Sequence, residues 1–393
     1  PDVIAYLEAE NEYTEAAMAH TVALQDSLYK EIVGRIQQDD DSVPYKKGDY
    51  FYYSRYREGD EYPLYCRKKG SLVAPEEIMI DANQEAEGHE FFTMWGVEVS
   101  PDAKTLAYAF DTVGRRFNTV RFRDLETGED LPDVLENVTN NGEWANDSKT
   151  YLYTKQDPET LRWNKIYKHV LGTASAEDKL VYEETDEEFG AFVFKSRSEK
   201  YLMIGSNQTL SSEFWYLDAD NPDGELKIVQ PREADHEYFA DHFGDEFFIK
   251  TNWEAKNFRL IKTPESAPGK ENWVDVIPHR DDVLFQRAEA FQDHLAVEER
   301  KNGLRQVRII QWDGGEEHYL DFGEPAYDAW ITDNHEIDTT TLRYAYTSMT
   351  TPKSTYDYDM VSKEKTLLKE HPVLGGFDKA NYTTDRLWAT ARD

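Results

Sequence analysis

The residues that could do chemistry fall into a few groups. The nucleophile of an α/β-hydrolase sits in G-x-S-x-G, because a strained strand-to-helix turn must expose its Oγ. No serine of this chain has a glycine two residues before it, so that elbow is absent and no catalytic residue is assigned. His236 and His242, with Asp235 and Asp241, form the densest His/Asp cluster. Imidazole and carboxylate can ligate a metal, but the spacing matches no metal signature, and no metal or cofactor is expected. Asp218, Asp220, Asp223 and Gly224 imitate a calcium loop. Pro222 shifts the every-second-residue ligand pattern, so a hairpin connection is expected instead. The doublets Glu183-Glu184 and Glu298-Glu299 suggest the paired acids of a glycosidase. Neighbours on a strand point to opposite faces, which makes such doublets poor acid/base pairs. The last group is basic. Arg115-Arg116 follows an apolar run ending at Asp111, and alternation puts Arg121 and Arg123 on one face of the next strand.

The elements that must position these groups change character once. Val3, Ile4 and Leu7, then Leu24, Leu28, Ile32 and Ile36, recur at helical spacing. Pro1 and Asp2 suit a helix start. Gly34 weakens the second helix, and the run Asp39-Asp40-Asp41 leads to a boundary at Pro44. From about Tyr45 onward, short apolar or alternating runs such as Thr105 to Phe110 and Tyr201 to Ile204 are separated by Gly, Pro, Asn and Asp. The 25 tyrosines favour pleated surfaces. A turn-then-strand pattern repeats as Ser100-Pro101-Asp102-Ala103-Lys104-Thr105, Ala145-Asn146-Asp147-Ser148-Lys149-Thr150 and Lys195-Ser196-Arg197-Ser198-Glu199-Lys200-Tyr201. Units of about 45–50 residues, beginning near 45, 90, 141, 189, 235, 284 and 325, have the size of a four-stranded blade. Many short antiparallel strands need their edges managed, and a ring of blades does this. The fold expected is all-β, a seven-bladed β-propeller preceded by a short helical segment, with a β-sandwich array as the alternative. The organisation expected is 1–43 helical extension, 44–375 propeller and 376–393 linker.

Net charge is −34, which repels phosphate backbones and anionic lipid surfaces and disfavours nucleic acid and membrane as partners. It either keeps the protein soluble or attracts cationic ligands. Cys66 is the sole cysteine, so no intrachain disulfide forms, in keeping with a reducing cytoplasm.

The order of several blocks resembles the prolyl oligopeptidase group, and within it oligopeptidase B. These blocks include Tyr6-Leu7-Glu8-Ala9-Glu10-Asn11, Val120 to Gly128, Trp144-Ala145-Asn146-Asp147-Ser148, Asp178 to Glu184, Asp235-His236-Glu237-Tyr238, Tyr346 to Pro352 and Trp388 to Asp393. The resemblance implies a substrate-gating propeller that caps a C-terminal α/β-hydrolase domain lying beyond this chain. It implies a serine peptidase cutting short basic peptides after Arg or Lys, while the chain alone is inactive. Through Gly114-Arg115-Arg116 and His89-Glu90-Phe91-Phe92 it marks Glu90, Arg115, Arg116 and Arg121 as candidates for substrate or interdomain contact. The alternative is a stand-alone propeller serving as a binding or scaffold module.

Overall fold

The computed structural model describes residues 2–312 and 314–392; the expectations placed on Pro1 and Asp393 lie outside them. Two helices lead, α1 (Asp2–Met18) and α2 (Val22–Gly34), joined by a short 3-10 turn. Neither buries a residue; Val3, Ile4, Leu7, Leu24, Leu28 and Ile32 all face outward.

Apart from the one-turn helix Ala82–Glu85 and short 3-10 turns, the regular structure that follows is antiparallel sheet. The strands gather into five blade-sized sheets, one of five strands and four of four, and one sheet of seven strands. This corrects the expected count of seven separate blades. The units begun near 90 and 141 are not independent. Strand Asp130–Trp144 pairs through its first half with Asn118–Asp124 and through its second half with Thr150–Gln156. The chain turns over at Asn137 (φ 55°) with no loop, so the ladder runs on. Length and turn signals marked where strands start, but could not show that two neighbouring units share one strand.

The repeated turn is real. Ala103, Ser148 and Glu199, one in each of the three turn motifs, all adopt the left-handed conformation (φ 59°, 55° and 58°). Each precedes a lysine and then a buried strand. Alternation within strands is equally clear: Glu246–Thr251 buries every second side chain. Facing sheets are glued by aromatic rings. Phe122, Trp144 and Tyr151 meet edge to face between strands of the seven-stranded sheet, and between the next two sheets Phe247 stacks on Tyr201 and meets Tyr216 at a tilt. Asn141 supplies a polar seam, its amide accepting from Val193 N (2.8 Å) and donating to Val193 O (2.9 Å) across to the third sheet.

Because strands alternate in direction, loops sort onto two faces. Connections from first to second strand of each unit, such as residues 100–104, 196–200 and 332–340, share what we call the lower face. Second-to-third-strand loops, such as 112–117, 208–211 and 348–353, share the upper face with the links between sheets. The C-terminal stretch joins the upper face: Thr384 meets Thr350 through their hydroxyls (3.2 Å). There Glu324 accepts from Thr351 (2.6 Å), Tyr346 (2.8 Å) and Thr350 (3.0 Å). Burial alone would raise its pKa, but these donors, Thr351 foremost, outweigh it and hold the carboxyl near 2. A depressed carboxylate contributes stability above its unfolded value and loses it as pH falls through the folded one. Glu324→Gln is therefore expected to cost about 1 kcal/mol at pH 7, allowing for solvent screening. The difference should vanish as pH drops from about 4.5 toward 2, read from thermal midpoints across that range.

Candidate functional site

The upper face carries three of the four sequence-marked residues, Glu90, Arg115 and Arg116. Asp111 ends its strand buried and accepts three backbone N–H groups, from Val113 (2.8 Å), Gly114 (3.0 Å) and Arg116 (2.7 Å). Arg116 is held left-handed (φ 60°), and its carbonyl accepts from Asn118 (3.2 Å) and Gln156 (2.8 Å), both buried. One carboxylate and two amides thus stiffen a loop that presents Arg115 and Arg116 to solvent. Phe91 packs against Gly114, where a Cβ would touch its ring at 3.6 Å, so the segment bearing exposed Glu90 lies beside this loop. The structure therefore brings Glu90, Arg115 and Arg116 to one place. Arg121 is elsewhere, on its strand within 3.6 Å of Asp130 and over the Phe110 ring. Around this face stand exposed apolar side chains: Phe91, Trp95, Val113, Leu210, Phe239 and Met349, with Met349 89% exposed.

The ring encloses a tunnel. Its lower end is a cavity of about 750 Å³ lined by residues of every sheet, from Lys47 to His335. Glu98 and Glu143 face it. Burial first, and then the charge of Glu143, push Glu98 up to about 7, while Lys47 and Lys195 oppose the rise. Glu143 is raised too, again chiefly by burial. Burial lowers Lys195, against the pull of Glu143 and Glu199. None of the residues lining this cavity belongs to α1 or α2.

The other clusters resolve into structural roles. His236 bonds Thr251 (2.9 Å) and is pushed down to about 4, mainly by burial. His242 bridges Ser198 (2.7 Å) and Glu265 (2.9 Å). The two rings thus turn to different partners. Asp218 ends strand Ser212–Asp218, and Asp220 and Asp223 lie in the connection to Lys227–Gln230, with Asp220 accepting from Asn146 (2.8 Å) and Asp223 paired to Lys168. In the acidic doublets the neighbours do diverge. Glu183 pairs with Lys165 (3.2 Å), whereas Glu184 binds Arg232 (2.9 Å) and Ser206 (2.5 Å). Glu98, Glu143 and Arg197 escaped sequence reading, since each sits in a strand end or turn that looks polar and ordinary.

Antiparallel sheets gathered round a tunnel define a β-propeller domain. Residues 1–371 match the model of the prolyl oligopeptidase N-terminal β-propeller domain, and the chain belongs to that family. It is 41% identical to dipeptidyl aminopeptidase BI of Pseudoxanthomonas mexicana over the whole chain and 56% of the relative, and 31% identical to protease 2 of Moraxella lacunata over 57% of that protein. Among solved structures it is similar to oligopeptidase B from Leishmania major (TM-score 0.90, 31% identity) and from Trypanosoma brucei in a closed form with bound antipain (TM-score 0.92, 30% identity). All of this chain and 57% of each of those chains are covered. The chain thus spans a little over half the length of these relatives. No helix among the described residues is long and apolar enough to cross a membrane.

Proposed function

We propose that this chain is the substrate-gating propeller of a serine oligopeptidase that cleaves short basic peptides after Arg or Lys, with the α/β-hydrolase domain supplied by the remainder of the protein. The observation that carries this reading is the chain-long likeness to two oligopeptidase B structures, at TM-scores of 0.90 and 0.92. The upper face supports it. Its exposed apolar side chains and the stiffened Arg115-Arg116 loop suit a surface that a second domain covers, and Glu90 adds an opposite charge beside them. Interdomain charges of this kind set the balance of open and closed forms. The net charge of −34 would raise the local concentration of basic peptides. The single cysteine favours a cytoplasmic location.

The test compares the whole protein with this chain alone on an Arg-containing fluorogenic peptide. The whole protein should turn it over and the chain alone should not. In the whole protein, charge reversal by Arg115→Glu with Arg116→Glu should lower kcat/KM about tenfold by weakening closure. Turnover by the chain alone would overturn the reading, and so would a whole protein that is folded yet inert on every basic peptide.

A further inference from the structure

The Arg197 side chain reaches across the lower mouth of the tunnel. Arg197 lies in the turn after strand Gly190–Lys195 of the third sheet. Its backbone N–H donates to Asp241 of the fourth sheet (2.8 Å). Its guanidinium then runs past the fifth sheet, where Nε donates to Ala290 O (3.0 Å), Nη1 lies 3.3 Å from Glu289, and the group sits 5.2 Å over the Phe291 ring. It ends on the 332–340 loop of the last sheet, with Nη1 donating to Asn334 O and Nη2 to Glu336 O (3.2 Å). The side chain is 13% exposed. One residue thus touches three sheets beyond its own, and the fork geometry of a guanidinium suits it to several acceptors at once.

The loop it holds has a second duty. No strand of the first sheet pairs with a strand of the last among the described residues. At the lower face their junction rests on this loop. Glu336 accepts from Gly48 N (3.0 Å) and Lys46 (3.3 Å), His335 packs on the Tyr45 ring at 4.6 Å, and Arg343, at the start of the next strand, donates to Pro44 O (2.6 Å). Elsewhere along the junction Lys369 bonds Asp40 (2.6 Å) and the Asp41 carbonyl, and Leu374 N–H donates to Arg35 O (3.2 Å).

We infer that Arg197 is a latch: it pins the 332–340 loop across the lower mouth of the tunnel and, through that loop, closes the ring between its last and first sheets. Ring closure here depends on a strap across the tunnel where the strands leave an unpaired seam. When the latch is released, this seam opens before the rest of the domain, because local opening needs only the loss of the contacts that hold one segment.

The test is amide hydrogen exchange on this chain, followed by mass spectrometry. In Arg197→Ala, segments 40–48 and 332–340 should exchange at least tenfold faster, while the strands of the fourth sheet stay within twofold of the parent. Arg197→Lys keeps the charge but loses the fork, and should show the same pattern in smaller measure. Should the alanine variant fail to fold, the lysine variant carries the test. Unchanged protection of both segments overturns the latch, and so does a loss spread evenly over every sheet, which would make Arg197 an ordinary stabilising residue.

Discussion

Glu299→Ala is expected to cost about 3–5 kcal/mol, the effect of stripping one partner from a buried charge cluster. Glu299 is fully buried on strand His294–Lys301. Its carboxylate takes the Arg280 guanidinium and the Tyr319 hydroxyl, with Arg308 3.9 Å away. Water cannot replace these contacts at a site with no exposure, so alanine leaves two arginines facing a cavity without their counter-charge. Arg308 retains Glu317, which limits the damage on that side. Arg280 retains no other carboxylate among its ion pairs in the described residues, and it sits partly buried at the link between the fourth and fifth sheets. Glu299→Gln should recover only part of the loss, since an amide oxygen can still accept from Tyr319 but brings no charge. The measurement is the thermal or denaturant midpoint of the three proteins. A loss below about 1 kcal/mol would mean that the cluster is solvated and that the ion pairs are worth no more than surface pairs.

This cluster also marks how far the sequence could be read. That Glu298 and Glu299 diverge follows from strand alternation alone. The structure agrees, with Glu298 turned to Arg287 (3.1 Å) and the Ile331 N–H (2.5 Å). Partners are another matter. Arg280 precedes Glu299 by 19 residues and Tyr319 follows it by 20, and periodicity sees neither contact. The turn motifs were legible because their chemistry is local: an Asp or Ser side chain caps its own backbone, as Asp124 does for Glu126 and Thr127 (2.8 Å each). The same holds for the Arg115-Arg116 loop, whose anchor Asp111 is five residues away or fewer. Glu90 joined it in the sequence only through family likeness, since the contact of Phe91 with Gly114 crosses between two links on the upper face. The blade count failed for a related reason. Hydrogen bonds on both sides of residues 130–144 are a property of neighbouring strands, and the residues themselves carry no mark of it. Arg197 was invisible on all these grounds, because it occupies a turn position that any polar residue could fill and acts on partners 44 to 139 residues distant.

Glu98→Gln should stabilise the protein at alkaline pH and leave it nearly unchanged in acid. In the fold, Glu98 lines the tunnel with Glu143, and the groups that face it are Glu143, Lys47 and Lys195. Burial and the neighbouring carboxylate push it up to about 7 from an ordinary value near 4.5. A carboxyl raised on folding favours the native state in its protonated form. Its stabilising contribution is complete below the unfolded value and is lost as pH rises through the folded one. The parent should therefore lose stability between about pH 4.5 and 7, and level off above. Glutamine stays neutral and avoids this loss, so the variant should gain about 2 kcal/mol at pH 8, allowing for water in the tunnel, and almost nothing at pH 4. Its shape is kept, and the Glu98 carbonyl still accepts the Trp144 indole N–H (3.1 Å), so packing should not change. Glu143→Gln should act in the same direction, because removing either charge relieves the other. The double variant should then gain less than the two singles together, the signature of a coupled pair. Thermal midpoints of the four proteins between pH 4 and 8 decide it. A Glu98→Gln gain that does not grow with pH would show that the lysines already neutralise the pair. A loss at pH 8 would show that Glu98 is ionised and holds Lys47 or Lys195 in place.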